Sequence, residues 1–422
     1  MGSYAVLSLD DYEIDSAKNW SITQQIPFIE SDRQFQYPKD QNDINTHSYK
    51  YRISREVALK RLESMGYTEE KFKDFFKLWQ QKYNEKYGQI TPKVNVLCQS
   101  LTPEKWTMIV RFYLLMGDKI KKTDINKIMF IDNNGLTIDD RPWIMLGSIM
   151  NPITLSQILR AGSFLKYLEF DITEPVQSEW IDLSLPFLEE TIGDFWENEK
   201  PVNEIIVLTE GSSDTNCIKA AMQVYYPEHF LKFKFIDPER FKLPGGSGNL
   251  TNYVKFMYTV MPNDRKVIAI LDNDIAGHES KKVLEKAKLP ESFETIILPD
   301  VNIAKNYPVL HNEKTILLDV NGAACSIELM LGKECLSDKS GLRPVKMKRL
   351  GEKRTAGSGE ITQKGKVSKK FLNIMKKQGS KKYLAEEALG MIELLDSIVE
   401  ISKASEIQAK TEELESFMLA DF

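Results

Sequence analysis

The sequence predicts an α/β fold for its C-terminal half, a mostly parallel sheet with flanking helices, joined to an α+β, largely helical N-terminal part. From Asn203 onward the apolar runs EIIVL, FKFKFI, KVIAIL, ETIIL and KTILL alternate with helix-like stretches. Uniformly apolar strands are those buried on both faces of a parallel sheet. Before Lys200, apolar residues recur instead at i, i+3, i+4 and i+7, the spacing of an amphipathic helix. A length of 422 residues is two or three domains' worth of core.

Residues 1 to about 30 are expected to form a β-hairpin, with Tyr4, Val6 and Ser8 along one face, Asp10 and Asp11 in the turn, and Tyr12 and Ile14 returning. Ser54 caps REVALKRLESM, which Gly66 stops. Thr68 caps a second helix bearing Phe72, Phe75, Phe76 and Trp79. Thr102 and Pro103 open a third, with Trp106, Ile109, Val110 and Tyr113 on one face. Such aromatic stripes read as core. Residues 125 to 200 are mixed, with the runs IMFI, WIML and LKYLEF and an acidic end at Glu189, Glu190, Asp194 and Glu197. Further on, helices are expected near Ser213 to Tyr225, over LTNYVKFMYTV, and near His278 to Ala287. The resulting segments are 1–200, 201–338, a basic stretch 339–382, and an amphipathic helix 383–422 carrying Leu384, Ala388, Ile392, Leu395 and Val399.

Fifty-six Lys and Arg against 61 Asp and Glu give a formal charge of −5, with 42% hydrophobic and 28% charged residues, a composition that excludes disordered and collagen-like chains. Charge is sorted by segment. From Ser340 to Lys382 there are 14 basic residues against Glu352 and Glu360, and from Tyr383 to Phe422 ten acidic residues against Lys403 and Lys410. The basic stretch suits a phosphate backbone and equally reads as a solvated loop. Cys98, Cys217, Cys325 and Cys335 are never spaced CxxC, against a zinc ribbon or a disulfide framework. The opening has Asp10, Asp11, Glu13 and Asp15 where a secretory leader needs a basic and apolar run, and no apolar run is long enough for a membrane helix. The expectation is a cytoplasmic protein with no membrane partner.

Three acidic clusters fall at predicted strand ends, the edge of an open α/β sheet where ligands bind. In IIVLTEGSSD, Glu210 ends the strand, Gly211 permits the turn and Asp214 opens the helix. In VIAILDNDIAG, Asp272 and Asp274 are two apart on an extended chain and share a side. Glu328 follows in CSIEL. Converging carboxylates repel one another, so a divalent cation is the natural neutraliser, and all-oxygen ligation favours Mg²⁺ or Mn²⁺. Asp214 has a second reading, an acid favoured by the helix dipole alone. Glu328 has the alternative of a plain helix-face acid. The loop LPGGSGN, with Gly245, Gly246, Ser247, Gly248 and Asn249, is either a phosphate cradle or a tight strand-to-helix turn.

A strand ending in Glu-Gly, then a glycine turn, then a strand ending in Asp-x-Asp-x-x-Gly resembles the TOPRIM fold of type IA topoisomerases, primases, ribonuclease M5 and the overcoming-lysogenization-defect nucleases. Glu210, Asp272 and Asp274 match its three acidic positions. More narrowly, MGSYAVLSLDDYEIDSAKN, LTEGSSD, GGSGNLTNYVKF, LDNDIAGHE and DVNGAACSIEL resemble bacterial HEPN/Toprim-associated proteins, a group implicated in prophage and antiphage defence. The resemblance implies an N-terminal HEPN/Toprim-associated domain and a TOPRIM catalytic domain over 201–338. It further implies a Mg²⁺-dependent nuclease, with Glu210 as metal ligand or general acid/base, Asp272 and Asp274 as metal ligands, and Glu328 as a supporting acid; Asp214 is a further candidate metal ligand from its place beside Glu210. GSGEITQK resembles a further family segment whose Glu and Lys correspond to Glu360 and Lys364. Such a lysine holds the scissile phosphate or polarises the nucleophile. Lys366 and Lys369 beside it are expected to contact nucleic acid.

Two features depart from the resemblance. None of His47, His229, His278 and His311 has an arginine five to seven residues before it, so no HEPN ribonuclease site is assigned. No GxxxxGK[ST] is present, so a nucleotide gate would come from an ATPase or sensor in trans. The expectation is therefore a metal-dependent phosphodiesterase acting on DNA or RNA, with oligomer formation left open. The alternative is a non-cleaving regulatory or assembly subunit that binds nucleic acid or a partner.

Overall fold

A computed structural model describes residues 3–18, 25–36, 48–87, 101–116, 151–184, 187–188, 204–239, 242, 244–260, 265–311, 314–347 and 358–403. The runs IMFI and WIML, the acids Glu189 to Glu197, Cys98, His47 and residues 404–422 lie outside them. The chain divides into two compact units, Met1–Val202 and Asn203–Phe422.

Unit 1 is built on an antiparallel sheet in the order β2-β1-β5-β4-β3, with β1 Tyr4–Leu9, β2 Tyr12–Lys18, β3 Arg33–Gln36, β4 Ser48–Ser54 and β5 Tyr167–Asp171. The hairpin forms, but its core face is Ala5, Leu7 and Leu9, while Tyr4 is exposed. The alternate residues win because Leu7 and Leu9 offer more apolar area than Val6 and Ser8. Asp10 takes a left-handed conformation, and its carboxylate accepts the amides of Lys166 and Tyr167. On β4 and β5, Lys50 and Arg52 pair across strands with Asp171 and Glu169 at 3.2 and 3.3 Å. Below the sheet, Phe28, Tyr51 and Phe170 pack ring against ring.

The helices α1 Arg55–Ser64, α2 Glu69–Tyr87, α3 Pro103–Met116 and α4 Pro152–Ala161 complete the unit, with a short α5 at Thr173–Gln177. The Ser54, Thr68 and Thr102 hydroxyls accept amides of Val57, Lys71 and Lys105 in the first turns, satisfying donors that a helix start leaves free. Phe72, Phe76 and Trp106 are fully buried together.

Unit 2 contains a four-stranded, all-parallel sheet in the order β10-β8-β6-β7: β6 Ile205–Thr209, β7 Phe233–Ile236, β8 Lys266–Leu271 and β10 Phe293–Ile297. The two central strands are buried along almost their whole length. Helices α6 Ser212–Tyr225, α7 Ser247–Val260 and α8 Ile275–Lys286 make the crossovers. Leu250, Val254 and Leu284 pack from α7 and α8 onto Ile206, Leu208, Val267, Ala269 and Leu271. The two-residue strand β9, Asn273–Asp274, follows β8 directly.

KTILL does not join this sheet. It forms β12, Lys314–Leu318, in a second sheet ordered β12-β11-β16-β17, with β11 Tyr307–His311, β16 Val345–Met347 and β17 Gly359–Ile361. Its Lys314, Thr315 and Leu317 are exposed, as an antiparallel edge strand permits and a central parallel strand does not. Between these lie β13 Ala324–Cys325, α9 Lys333–Leu336, β14 Ser337–Asp338 and β15 Gly341–Leu342.

Much of the basic stretch is ordered into β15, β16, β17 and the helices α10 Lys364–Met375 and α11 Ser380–Glu387, so the solvated-loop reading does not hold for these residues. The expected single C-terminal helix is interrupted at Ala388, where α11 ends, and helix α12 covers residues 389–403. Leu384, Ala388, Leu395 and Val399 are buried nonetheless.

Candidate active site

Every strand of the parallel sheet ends on an acid: Glu210 after β6, Asp237 after β7, Asp272 after β8 and, three residues on, Asp300 after β10. Their partners differ. Asp237 accepts the Ser212 hydroxyl and the Glu239 amide, which ties the start of α6 to the end of β7. Asp300 accepts the side-chain amide of Asn273 at 2.7 Å, and Asn273 in turn meets His278 Nε2 at 3.0 Å. The other two acids lie on adjacent strands, and the side chain of one meets the backbone of the other.

The Asp272 amide donates to Glu210 Oε1 at 2.9 Å, and the Ser247 amide also donates to the Glu210 carboxylate. Burial pushes the Glu210 carboxyl above its ordinary value; these two donors and Lys364 pull it down, while the Asp274 charge adds to the rise. Asp272 is pushed well up, first by burial and then by Asp214, Glu210, Glu328 and Asp274. Asp214, in the first turn of α6, is pushed up to about 7 by burial, Glu328 and Glu210, against the pull of Lys364. The acids of all three sequence clusters therefore feel one another's charge.

The supporting backbone is tightly specified. The Thr209 hydroxyl meets Thr215 Oγ1 at 2.6 Å and Gly211 O at 3.0 Å, closing the turn that carries Glu210. The Glu210 carbonyl accepts the Gly246 amide at 2.8 Å. Gly246 has a φ of +98°, and a Cβ on Gly245 would stand 2.9 Å from that carbonyl. The glycine loop makes a tight turn here, with the Gly246 and Ser247 amides directed at Glu210. Asp274 Oδ1 caps α8 through the Gly277 amide at 2.7 Å. A Cβ on Gly277 would lie 2.1 Å from the Asp272 carbonyl, which accounts for glycine at the last position of Asp-x-Asp-x-x-Gly.

Glu328 is 2% exposed, in a one-turn 3-10 helix just after β13. It is brought in because β13 pairs with β9, placing Ala324 opposite Asp274. Its oxygens accept the hydroxyls of Ser326 at 2.6 Å and Ser368 at 3.5 Å. Lys364 opens α10, whose first turn holds no acid, although a helix start disfavours positive charge. Burial pulls its pKa down, and Glu360, 2.9 Å away, with Glu328 and Asp214 more than offsets this, so the net shift is upward. Arg343 donates to Gln363, the left-handed residue before it. Lys366 and Lys369 are exposed on the same helix; in the glycine loop Gly245, Gly246 and Gly248 are exposed and Ser247 and Asn249 are half-buried.

The donor set is all oxygen, clustered and mutually repelling, which suits Mg²⁺ or Mn²⁺ chemically. As the side chains stand, no group of three or more His, Cys, Asp or Glu among the described residues is placed to hold a metal ion.

Residues 1–169 match the family model HEPN/Toprim N-terminal domain 1. The matched HEPN/Toprim N-terminal domain comprises the sheet and helices of unit 1 up to β5, and the match ends before the acidic cluster of unit 2. No curated protein and no solved structure matches the chain. Among the described residues no helix is long and apolar enough to cross a membrane.

Among neighbours of the cluster, Thr215 and Ser368 carry no sequence motif, while Asn273 and Ser326 lie inside LDNDIAGHE and DVNGAACSIEL without being singled out there. Asp300 did carry a signal, since ETIILPD is an apolar strand ending in an acid.

Proposed function

We propose that unit 2 is a TOPRIM-like, divalent-metal-dependent nuclease that hydrolyses phosphodiester bonds in DNA or RNA, in a protein of bacterial antiphage defence. The observation that carries this is the mutual charge coupling of Glu210, Asp214 and Asp272 at one edge of a parallel sheet, with a lysine beside them. Buried like charges at this density are costly without a counter-ion. Glu210, Asp272 and Asp274 would hold Mg²⁺ or Mn²⁺, with Asp214 and Glu328 behind them. When bound, such an ion lowers the pKa of water and offsets phosphate charge. The chain's own contribution is positional: the Asp272 and Ser247 amides fix the Glu210 carboxylate, and Asp214, whose pKa is near neutrality, holds or releases a proton. Lys364 sets a positive charge against the acids, where a phosphate oxygen would sit.

The test is cleavage of tRNA, single-stranded DNA and duplex DNA in Mg²⁺, Mn²⁺ or EDTA. Wild type cuts at least one substrate in metal and none in EDTA, and Glu210→Ala and Asp272→Ala are inactive though folded. Equal rates for wild type and Asp272→Ala would refute the site. A second reading, a subunit that binds nucleic acid or an ATPase or sensor partner without cutting, is favoured by the absence of a ready ligand trio among the described residues. It predicts binding with no turnover under any metal.

A further inference from the structure

Helix α10 has two differently charged sides. With 3.6 residues per turn, Lys364 falls on the side of Ser368, Phe371 and Met375, of which the last three are buried. Lys366, Lys369, Lys376 and, just past the helix end, Lys377 fall within roughly 100° of one another on the opposite side, and all four are exposed.

None of these four lysines has an ion-pair partner among the described residues, whereas nearby Lys364, Lys370 and Lys382 pair with Glu360, Glu334 and Glu386. In a chain with more acids than bases, this helix gathers four lysines on one face and carries no Asp or Glu of its own. This face begins two residues after Lys364, whose charge interacts with Glu328, Asp214 and Glu210 from the other side of the same helix end.

We infer that this lysine stripe is the track for the phosphodiester backbone of a nucleic acid leaving the acidic cluster. The fit is one of charge and length. From Lys366 to Lys377 the stripe runs about 16 Å at the helical rise of ~1.5 Å per residue, the axial span of roughly five nucleotide steps on one duplex strand. The stripe makes no contact with base edges by itself, so it supplies affinity and direction without sequence preference. The inference deepens the nuclease reading by naming the surface that receives the substrate, and it rests on that reading for what happens at the acids.

The test measures binding alone. Fluorescence anisotropy in EDTA, which prevents metal-dependent cutting, follows labelled single-stranded DNA, duplex DNA and RNA across a salt series. The comparison is wild type against the variant Lys366→Gln/Lys369→Gln/Lys376→Gln/Lys377→Gln, and against the same four changed to Arg. At about 0.9 released counter-ions per duplex phosphate contact, removing four contacts in the Gln variant lowers the slope of log K against log salt by about 3.6, and binding at 0.1 M salt falls at least ~10-fold. The Arg variant behaves as wild type. The double variant Lys366→Gln/Lys369→Gln gives about half the slope change if the quadruple variant loses stability. An unchanged slope overturns the proposal, as does a wild type that binds no oligonucleotide, or one that binds only vesicles containing phosphatidylserine. A wild type that binds along the stripe yet never cleaves in metal removes the nuclease reading and leaves the track standing.

Discussion

The backbone amide of Asp272 donates to the side chain of Glu210 at 2.9 Å, across the carboxyl ends of two neighbouring parallel strands 62 residues apart in sequence. One acid is thereby oriented by the peptide of the other, so a change in either strand's register would undo the pair. The β6–β8 pairing, with Thr209 opposite Ile270, places them side by side.

Relief of repulsion in this cluster should be visible in the metal-free protein. Asp214 has a folded-state pKa of about 7 against an ordinary 3.8. Between those values the folded chain binds more protons than the unfolded chain, so stability falls as pH rises through the window. Asp214→Asn should raise the Tm in EDTA at pH 8 by a few degrees and leave it little changed at pH 4. Thermal unfolding of both proteins from pH 4 to 8 checks this, and a larger benefit at low pH would contradict it. Added Mg²⁺ should narrow the difference at pH 8.

Gly277→Ala should be among the costliest methyl additions in unit 2. The new Cβ would stand 2.1 Å from the Asp272 carbonyl and 3.3 Å from Asp274 Oδ1, so either the start of α8 or the Asp-x-Asp backbone must shift. A loss of about 2 kcal/mol or more is expected by urea unfolding. Gly248→Ala, which meets nothing within 4 Å, is the control, and equal effects from the two would count against the close approach.

In unit 1 the guanidinium of Arg61, 1% exposed, donates to both Asp32 oxygens and to the Pro27 carbonyl. Burial pushes the Asp32 carboxyl up by more than Arg61 pulls it down. Arg61→Met should therefore cost roughly 3–5 kcal/mol by leaving a buried carboxylate unpaired. Arg61→Met/Asp32→Asn should recover part of that loss in chemical denaturation, and a double variant no more stable than the single would argue against the pair as the cause.

How far the sequence could be read differs from residue to residue. Ser54, Thr68 and Thr102 were legible as caps because capping is local, a side chain bonding an amide three residues on. The apolar runs of β6 and β8 were legible because burial on both faces leaves no polar position. KTILL, equally apolar in composition, went to an edge strand of another sheet, because a run of five cannot report how many neighbours it will have. The helix expected through Ala388 is broken there although its apolar spacing continues, and Gly390, whose Cβ would lie 2.3 Å from Val301 Cγ1, shows the close packing that follows the break.

The sequence by itself determined which residue types stand at strand ends and which helices begin where, since those depend on neighbours within a few positions. Tertiary structure alone decided that, of four acids ending four parallel strands, Asp237 and Asp300 are held by Ser212 and Asn273 while Glu210 and Asp272 join Asp214 and Glu328. Strand order and register set those distances, and electrostatic repulsion between carboxylates depends on distance in space, which the chain closes only by folding.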